Sequence, residues 1–257
     1  YDLFKESDKK LKKLHQKGKP FVAYIQTATN HMPFTVPDKK ESFTPILENE
    51  INEKTLLKGG FTSLRQLNGI RYLDFNIARF LERTKESGYY DNSIFVFFGD
   101  HSISMKKVSF INNNENKLGL QLHHVPLIIH APKYVTPQKI NKYAKLIDIF
   151  PTAASLAKIN HTNYTLGRDL LDSTNTNNTA AFIWTQRQGE KAVGLLKNGF
   201  YYEKTNISKK TSLYNLDIAE VKDIQFEKPV IAEQMDSLLS AYYYSTKYLY
   251  FNNKKQP

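Results

Sequence analysis

No cysteine occurs among the 257 residues. That excludes disulfides and thiolate metal sites, so any metal must be held by His, Asp, Glu, Thr or Ser. Long apolar runs are missing too, since no stretch approaches the ~18 consecutive apolar residues of a membrane-spanning helix. The chain does not open on a secretory leader: Tyr1-Asp-Leu-Phe-Lys-Glu is already charged and helix-like. The expectation is either a cytosolic protein or a segment cut from something longer. Internal repeats are absent. So is a continuous basic stripe, although 36 Lys+Arg against 25 Asp+Glu give a net charge of +11. The excess falls in scattered doublets: Lys9-Lys10, Lys12-Lys13, Lys39-Lys40, Lys106-Lys107, Lys209-Lys210 and Lys254-Lys255. Such doublets make a solvated surface and argue against nucleic acid, which needs a basic face interleaved with stacking aromatics. Anionic lipid headgroups or phosphate esters suit the charge better.

What is present is a strand–helix alternation. Residues 1–17 predict a helix with Leu3, Phe4, Leu11 and Leu14 on one face, ended by Gly18-Lys-Pro20. Phe21–Ile25 predicts a strand. A long helix is expected over 62–87 from Leu64, Leu67, Ile70, Leu73, Ile77, Phe80 and Leu81. Gly69 within it costs about 1 kcal/mol relative to Ala and marks a candidate break. Residues 102–122 read as an excursion, because Asn112-Asn-Asn-Glu-Asn116 cannot build a core. Val125–Ile129 predicts another strand, and Asp148 is expected to cap a helix running to about Lys158, with Pro151 in its first turn. Residues 160–178 read as loop. Four antiparallel strands follow (181–184, 192–196, 200–202, 212–216), then a helix from about Pro229.

The segment Ile94-Phe-Val-Phe-Phe-Gly-Asp-His101 stands out. An apolar run ended by Gly reads as a strand buried on both faces. Residues just past such a strand line the crevice where open α/β sheets bind ligands. Asp100 and His101 there can offer a hard oxygen and a borderline nitrogen to a divalent metal. Two further polar clusters, Thr29-Asn30-His31 and His123-His124, also abut apolar strands. If the three strands neighbour one another, the clusters converge.

These motifs together resemble a known superfamily. Tyr89–His101 is similar to the metal-binding segment of sulfatases and alkaline-phosphatase-like enzymes. Gln26-Thr-Ala-Thr-Asn-His-Met-Pro-Phe34 resembles the lipoteichoic acid synthase and phosphoglycerol transferase branch. His124–Pro132, Asp148-Ile-Phe-Pro-Thr152 and Gly167-Arg-Asp-Leu-Leu171 agree in identity and order. The resemblance implies an α/β fold. Its central mixed, mostly parallel sheet is sandwiched by helices over residues 1–175, and a small antiparallel subdomain over 176–257 packs on that core. It implies Asp100 and His101 as ligands of one divalent metal ion (Mn, Mg or Zn). It implies His31, His124 and, beside it, His123 as substrate-binding residues near the phosphate. His15, His130 and His161 have no motif support.

In that family a nucleophilic threonine and an acidic metal ligand precede the region matching Tyr1, behind membrane-spanning helices. Thr27, Thr29 and Thr35 belong instead to the segment matching the substrate histidine. The chain is therefore expected to be the C-terminal part of a catalytic domain on the periplasmic or extracellular side of a cell membrane. The implied activity is transfer of a phosphoglycerol-type headgroup from an anionic phospholipid to an envelope glycan or lipid acceptor, through a covalent threonine. A sulfate or phosphate ester hydrolase of the same architecture, and a non-catalytic membrane-tethered module, remain alternatives.

Overall fold

The computed structural model describes residues 2–38, 42–103, 111–174, 179–187, 189–218 and 220–253. Three of the lysine doublets (39–40, 106–107, 254–255), the end of the 160–178 loop and the junction expected at 175/176 lie outside the described residues. The chain divides into two compact units: one holds the residues up to Phe95 with Ile103 and 131–135, the other 96–102, 111–130 and 136 onward.

In the first unit, α1 (Asp2–His15) buries Phe4 and Leu11, while Leu3 is left exposed. Gly18, at φ +67°, takes the left-handed turn that ends it. The short α2 (Glu53–Lys58) is capped by Asn52, whose side chain accepts the Thr55 N–H. The long α3 (Leu64–Glu86) starts at Ser63, which caps it through Gln66 N–H. Phe4, Leu11, Phe80 and Tyr89 form the core between α1 and α3, joined by Leu14, Leu73 and Ile77. The buried face of α3 is more polar than its periodicity implied: Gln66, Asn68, Asn76 and Thr84 are all buried. Each has local bonds that offset desolvation. Asn68 accepts the Ile46 N–H at 2.8 Å and donates to the Ile46 carbonyl at 2.9 Å, holding a loop strand-fashion against the helix.

Two expectations fail here. α3 runs unbroken through Gly69, because that glycine serves a close approach rather than a kink: a Cβ there would meet the Thr29 carbonyl oxygen at 2.8 Å. Phe21–Ile25 forms no strand, and Val22 and Tyr24 are 86% and 69% exposed. Neither sheet among the described residues includes it, and a strand exists only as a member of a ladder.

In the second unit, β1 (Phe95–Phe98) is followed by α4 (Asn113–Leu118), and β2 (Leu127–His130) pairs with β1. The asparagine-rich stretch is a helix rather than a plain excursion. Asn112 caps it, and Asn114, wholly buried, donates to the carbonyls of Asn215 and Ile218. Asn clusters read as loop because their side chains compete for backbone partners; here those partners are remote. α5 (Ile149–Leu156) follows, though Asp148 does not cap it through its side chain. The fully buried carboxylate instead accepts N–H bonds from Lys145 at 2.8 Å and Arg168 at 3.0 Å, pinning the Gly167-Arg168 segment. Described residues of the 160–178 stretch carry no helix or strand.

Four antiparallel strands come next: β3 (Ala180–Arg187), β4 (Glu190–Lys197), β5 (Phe200–Thr205) and β6 (Thr211–Asn215), ordered as a meander. α6 (Pro229–Asn252) covers one face through Met235 and Leu239, packed on Ala180, Val193, Leu195, Tyr202 and Leu213. Leu118 and Leu120 cover the other face against Tyr201 and Leu216. No helix among the described residues is long and apolar enough to cross a membrane.

Candidate functional site

Gly99 ends β1, and its N–H donates to the Pro126 carbonyl at 3.2 Å. A Cβ at Gly99 would meet the Val125 side chain at 2.9 Å, so only glycine lets the two chains approach this closely. The carboxyl end of β1 is thereby tied to the amino end of β2. Asp100-His101 and His123-His124 flank that one hydrogen bond.

Asp100 and His101 are both exposed, with side chains 62% and 63% open to solvent. Asp100 Oδ1 accepts the His101 N–H at 2.9 Å, which fixes the carboxylate and leaves Oδ2 free. His101 Nδ1 lies 3.1 Å from the Ser102 carbonyl. A carbonyl only accepts, so this bond assigns the proton to Nδ1 and the lone pair to Nε2. The two free donor atoms, Oδ2 and Nε2, are 3.9 Å apart. Ligand bonds of about 2.0–2.2 Å each can bridge that span to one divalent ion. The pair can supply two ligands to such an ion. Among the described residues no third His, Asp or Glu completes a cluster.

His123 and His124 leave a 3-10 turn (Leu120–Leu122) that is seated on the meander. Arg187, paired with Glu203 at 2.6 Å, donates to the Leu118 carbonyl and so anchors the approach to both histidines. Partial desolvation, then the Arg187 charge, holds His123 below the ordinary histidine range. His123 is therefore neutral at neutral pH and offers no cation to a phosphate. His124 Nδ1 lies 3.9 Å from Glu115 Oε2, with its side chain 78% exposed. Glu115 carries no motif that marked it in the sequence.

His31 belongs to the first unit. Its loop is built by the His31 N–H on the Ala28 carbonyl (3.0 Å) and the Phe34 N–H on the His31 carbonyl (2.8 Å), with Phe34 buried at φ +58°. The His31 Nδ1 sits 2.7 Å from the Met32 carbonyl. As in His101, the next residue's carbonyl accepts the Nδ1–H hydrogen bond, which leaves the lone pair on Nε2. His31 lines a cavity of about 500 Å³ with Thr27, Thr29, Thr35, Leu73 and Asn76. Asn76 had no part in the sequence reading, and Gly69 entered it only as a candidate break. The internal glycine of a strongly periodic helix was the signal available.

The ring of His15 lies 6.1 Å from Tyr89, that of His161 5.5 Å from Phe150, and His130 ends β2.

Comparison with known proteins identifies the family of the chain. The family model described as Sulfatase matches residues 2–159. Lipoteichoic acid synthase-like YvgJ of Bacillus subtilis (strain 168) is 26% identical over 234 residues, 87% of this chain and 33% of its own length. Lipoteichoic acid synthase 1 of the same organism is 31% identical over 192 residues, 70% of this chain and 27% of its own length. The chain thus spans about a third or less of these curated relatives. The crystal structure of the lipoteichoic acid synthase LtaP from Listeria monocytogenes shares the fold, with a TM-score of 0.68 at 20% identity over 96% of this chain and 58% of that one.

Proposed function

Because the chain belongs to the sulfatase family, we propose that it is part of a metal-dependent phosphotransferase. In this reading the enzyme moves a phosphoglycerol-type headgroup from an anionic phospholipid to an envelope glycan or lipid acceptor. The lipoteichoic acid synthases among its relatives favour transfer over hydrolysis. The observation that carries the proposal is the Asp100 Oδ2 and His101 Nε2 pair, both free and 3.9 Å apart just past β1, which is half-buried rather than buried on both faces as its sequence implied.

Asp100 and His101 would hold one divalent ion, manganese, magnesium or zinc. Bound there, it supplies Lewis-acid neutralisation of phosphoryl charge and a lowered pKa for a coordinated hydroxyl. The chain's own residues do the rest. Asp100 keeps its bonding orientation because the His101 N–H fixes Oδ1. The Ser102 carbonyl holds His101 in the tautomer that binds. His31 contacts the phosphate or its headgroup, and His124 contacts it as the more open member of its pair. In the whole protein a threonine outside these motifs attacks phosphorus, diacylglycerol leaves, and the acceptor hydroxyl takes the headgroup from that threonine. β1 and β2 belong in this reading to a wider, mostly parallel sheet, and the domain works on the outer side of a cell membrane. Nucleic acid has no role.

Hydrolysis of a sulfate or phosphate ester is the second reading, favoured by the family model itself. One assay separates them. Purified whole protein is given a phospholipid labelled in its headgroup, with and without a glycolipid acceptor, and in parallel an aryl sulfate. Acceptor-dependent appearance of label supports transfer; release of free sulfate or headgroup without an acceptor supports hydrolysis. His101→Ala is expected to abolish metal-dependent turnover in either case. Near-wild-type turnover in that variant removes the site assignment.

A further inference from the structure

The second unit carries an apolar surface that the site does not use. α6 buries Met235 and Leu239 and packs Ile231, Leu238 and Tyr242 against the sheet. Over its C-terminal half the opposite side is aromatic rather than polar. Tyr244, Tyr248 and Phe251 recur at i, i+4 and i+7, a single stripe on a helix of 3.6 residues per turn. They are 66%, 65% and 72% exposed. The stripe continues off the helix through touching rings. Tyr244 meets Tyr243 edge-on at 5.3 Å, and Tyr243 meets Trp184 of the edge strand β3 at 6.2 Å. Trp184, the chain's sole tryptophan, is itself half exposed. Exposed Glu233 lies on this face about three turns before Tyr244, but the aromatic half of the helix carries charge of one sign. After Asp236 the sequence contains no acidic residue, whereas exposed Lys247 flanks the stripe and Lys254 and Lys255 follow in sequence.

We infer that this face rests on an anionic lipid bilayer, with its rings at headgroup depth and its lysines on lipid phosphates. Tryptophan and tyrosine settle at membrane–water boundaries because the ring is apolar while its N–H or O–H stays hydrated. A lysine near an anionic leaflet strengthens partitioning by roughly fivefold, and no carboxylate on this stretch opposes it. A second copy of the chain is a poorer occupant, since apposed faces would bring like charges together. α6 lies on such a surface rather than through it, as no described helix is apolar enough to span. The inference goes beyond the catalytic reading and uses none of its residues.

Trp184 supplies the assay. Mixed with vesicles of phosphatidylglycerol and phosphatidylcholine in equal parts, the chain is expected to co-sediment and shift its tryptophan emission to the blue. Pure phosphatidylcholine vesicles should leave both near baseline. Tyr248→Ser combined with Phe251→Ser is expected to weaken partitioning by about tenfold or more, and Lys247→Glu by at least about fivefold. All three positions are exposed, so thermal melts matching the parent confirm folding, and Lys247→Glu suffices if the double variant does not fold. Unchanged partitioning of a folded variant, equal binding to neutral vesicles, or no binding at all overturns the inference. A concentration-dependent dimer abolished by the double variant, without vesicle binding, assigns the face to a second copy. No turnover is measured, so loss of the transferase reading leaves the result intact.

Discussion

Replacing Gly69 with alanine sets two effects of opposite sign against each other. Within a helix, alanine is favoured over glycine by about 1 kcal/mol. A Cβ at position 69, however, would stand 2.8 Å from the Thr29 carbonyl oxygen, where 3.4 Å is ordinary contact. The obstacle is backbone, so no rotamer change relieves it, and the turn from Ala28 to Phe34 must retreat by roughly half an ångström. Overpacking of this kind costs about 1–3 kcal/mol. The expected net effect lies between no change and a loss of about 2 kcal/mol, a fall of up to roughly 8 °C in melting temperature. The functional effect is larger than the stability effect. The His31 N–H is bonded to the Ala28 carbonyl within that turn, and, under the proposed role of His31 as a phosphate contact, its sub-ångström displacement is expected to lower kcat/KM for the phospholipid by about tenfold. Calorimetry on the chain and headgroup-transfer kinetics on the whole protein read the two quantities. Thr29→Gly removes a side chain but not the carbonyl, so it should not rescue Gly69→Ala. A melting temperature raised by the full helix gain, with kinetics unchanged, would falsify the account of how the His31 loop is seated.

Asp148→Ala should cost about 3–5 kcal/mol in urea denaturation. It removes a fully buried carboxylate from two N–H donors and from the Arg168 guanidinium 4.0 Å away; an unchanged midpoint refutes the pinning role. Gly194→Ala should cost about 1–3 kcal/mol, because its Cβ meets the ring of fully buried Tyr201 at 2.6 Å. A variant as stable as the parent shows that the meander can yield there. For His123 the sign follows from its depressed pKa: below 6.5 the unfolded chain binds a proton that the folded one refuses. Its contribution is therefore level above 6.5, and stability falls as pH drops from there toward the depressed value. His123→Gln should flatten that part of a stability–pH curve taken between about pH 5 and 8; parallel curves for the two proteins count against it.

Local punctuation and periodicity were enough to read much of this chain. Gly99 after the five apolar residues Ile94–Phe98 announced the end of β1. Period-two alternation after residue 180 announced the meander, and Gly18 and Gly88, both at positive φ, marked helix ends that sequence placed correctly. The order of the motifs is by itself sufficient to identify the family. These features share a cause: each is fixed by the sterics and solvation of residues within a few positions of one another.

Tertiary structure decided what depends on distant partners. Phe21–Ile25 has strand composition but no ladder among the described residues, and Asn114 became a buried helical residue because Asn215 and Ile218 supply its acceptors a hundred residues away. Asp148 left its expected cap for the Arg168 amide. The Nε2 lone pairs of His31 and His101, and the second aromatic stripe of α6, likewise emerge only in three dimensions. A buried polar group takes whichever partner desolvation leaves it, and an apolar side chain is exposed or covered according to what packs beside it. Neither is written in the local sequence.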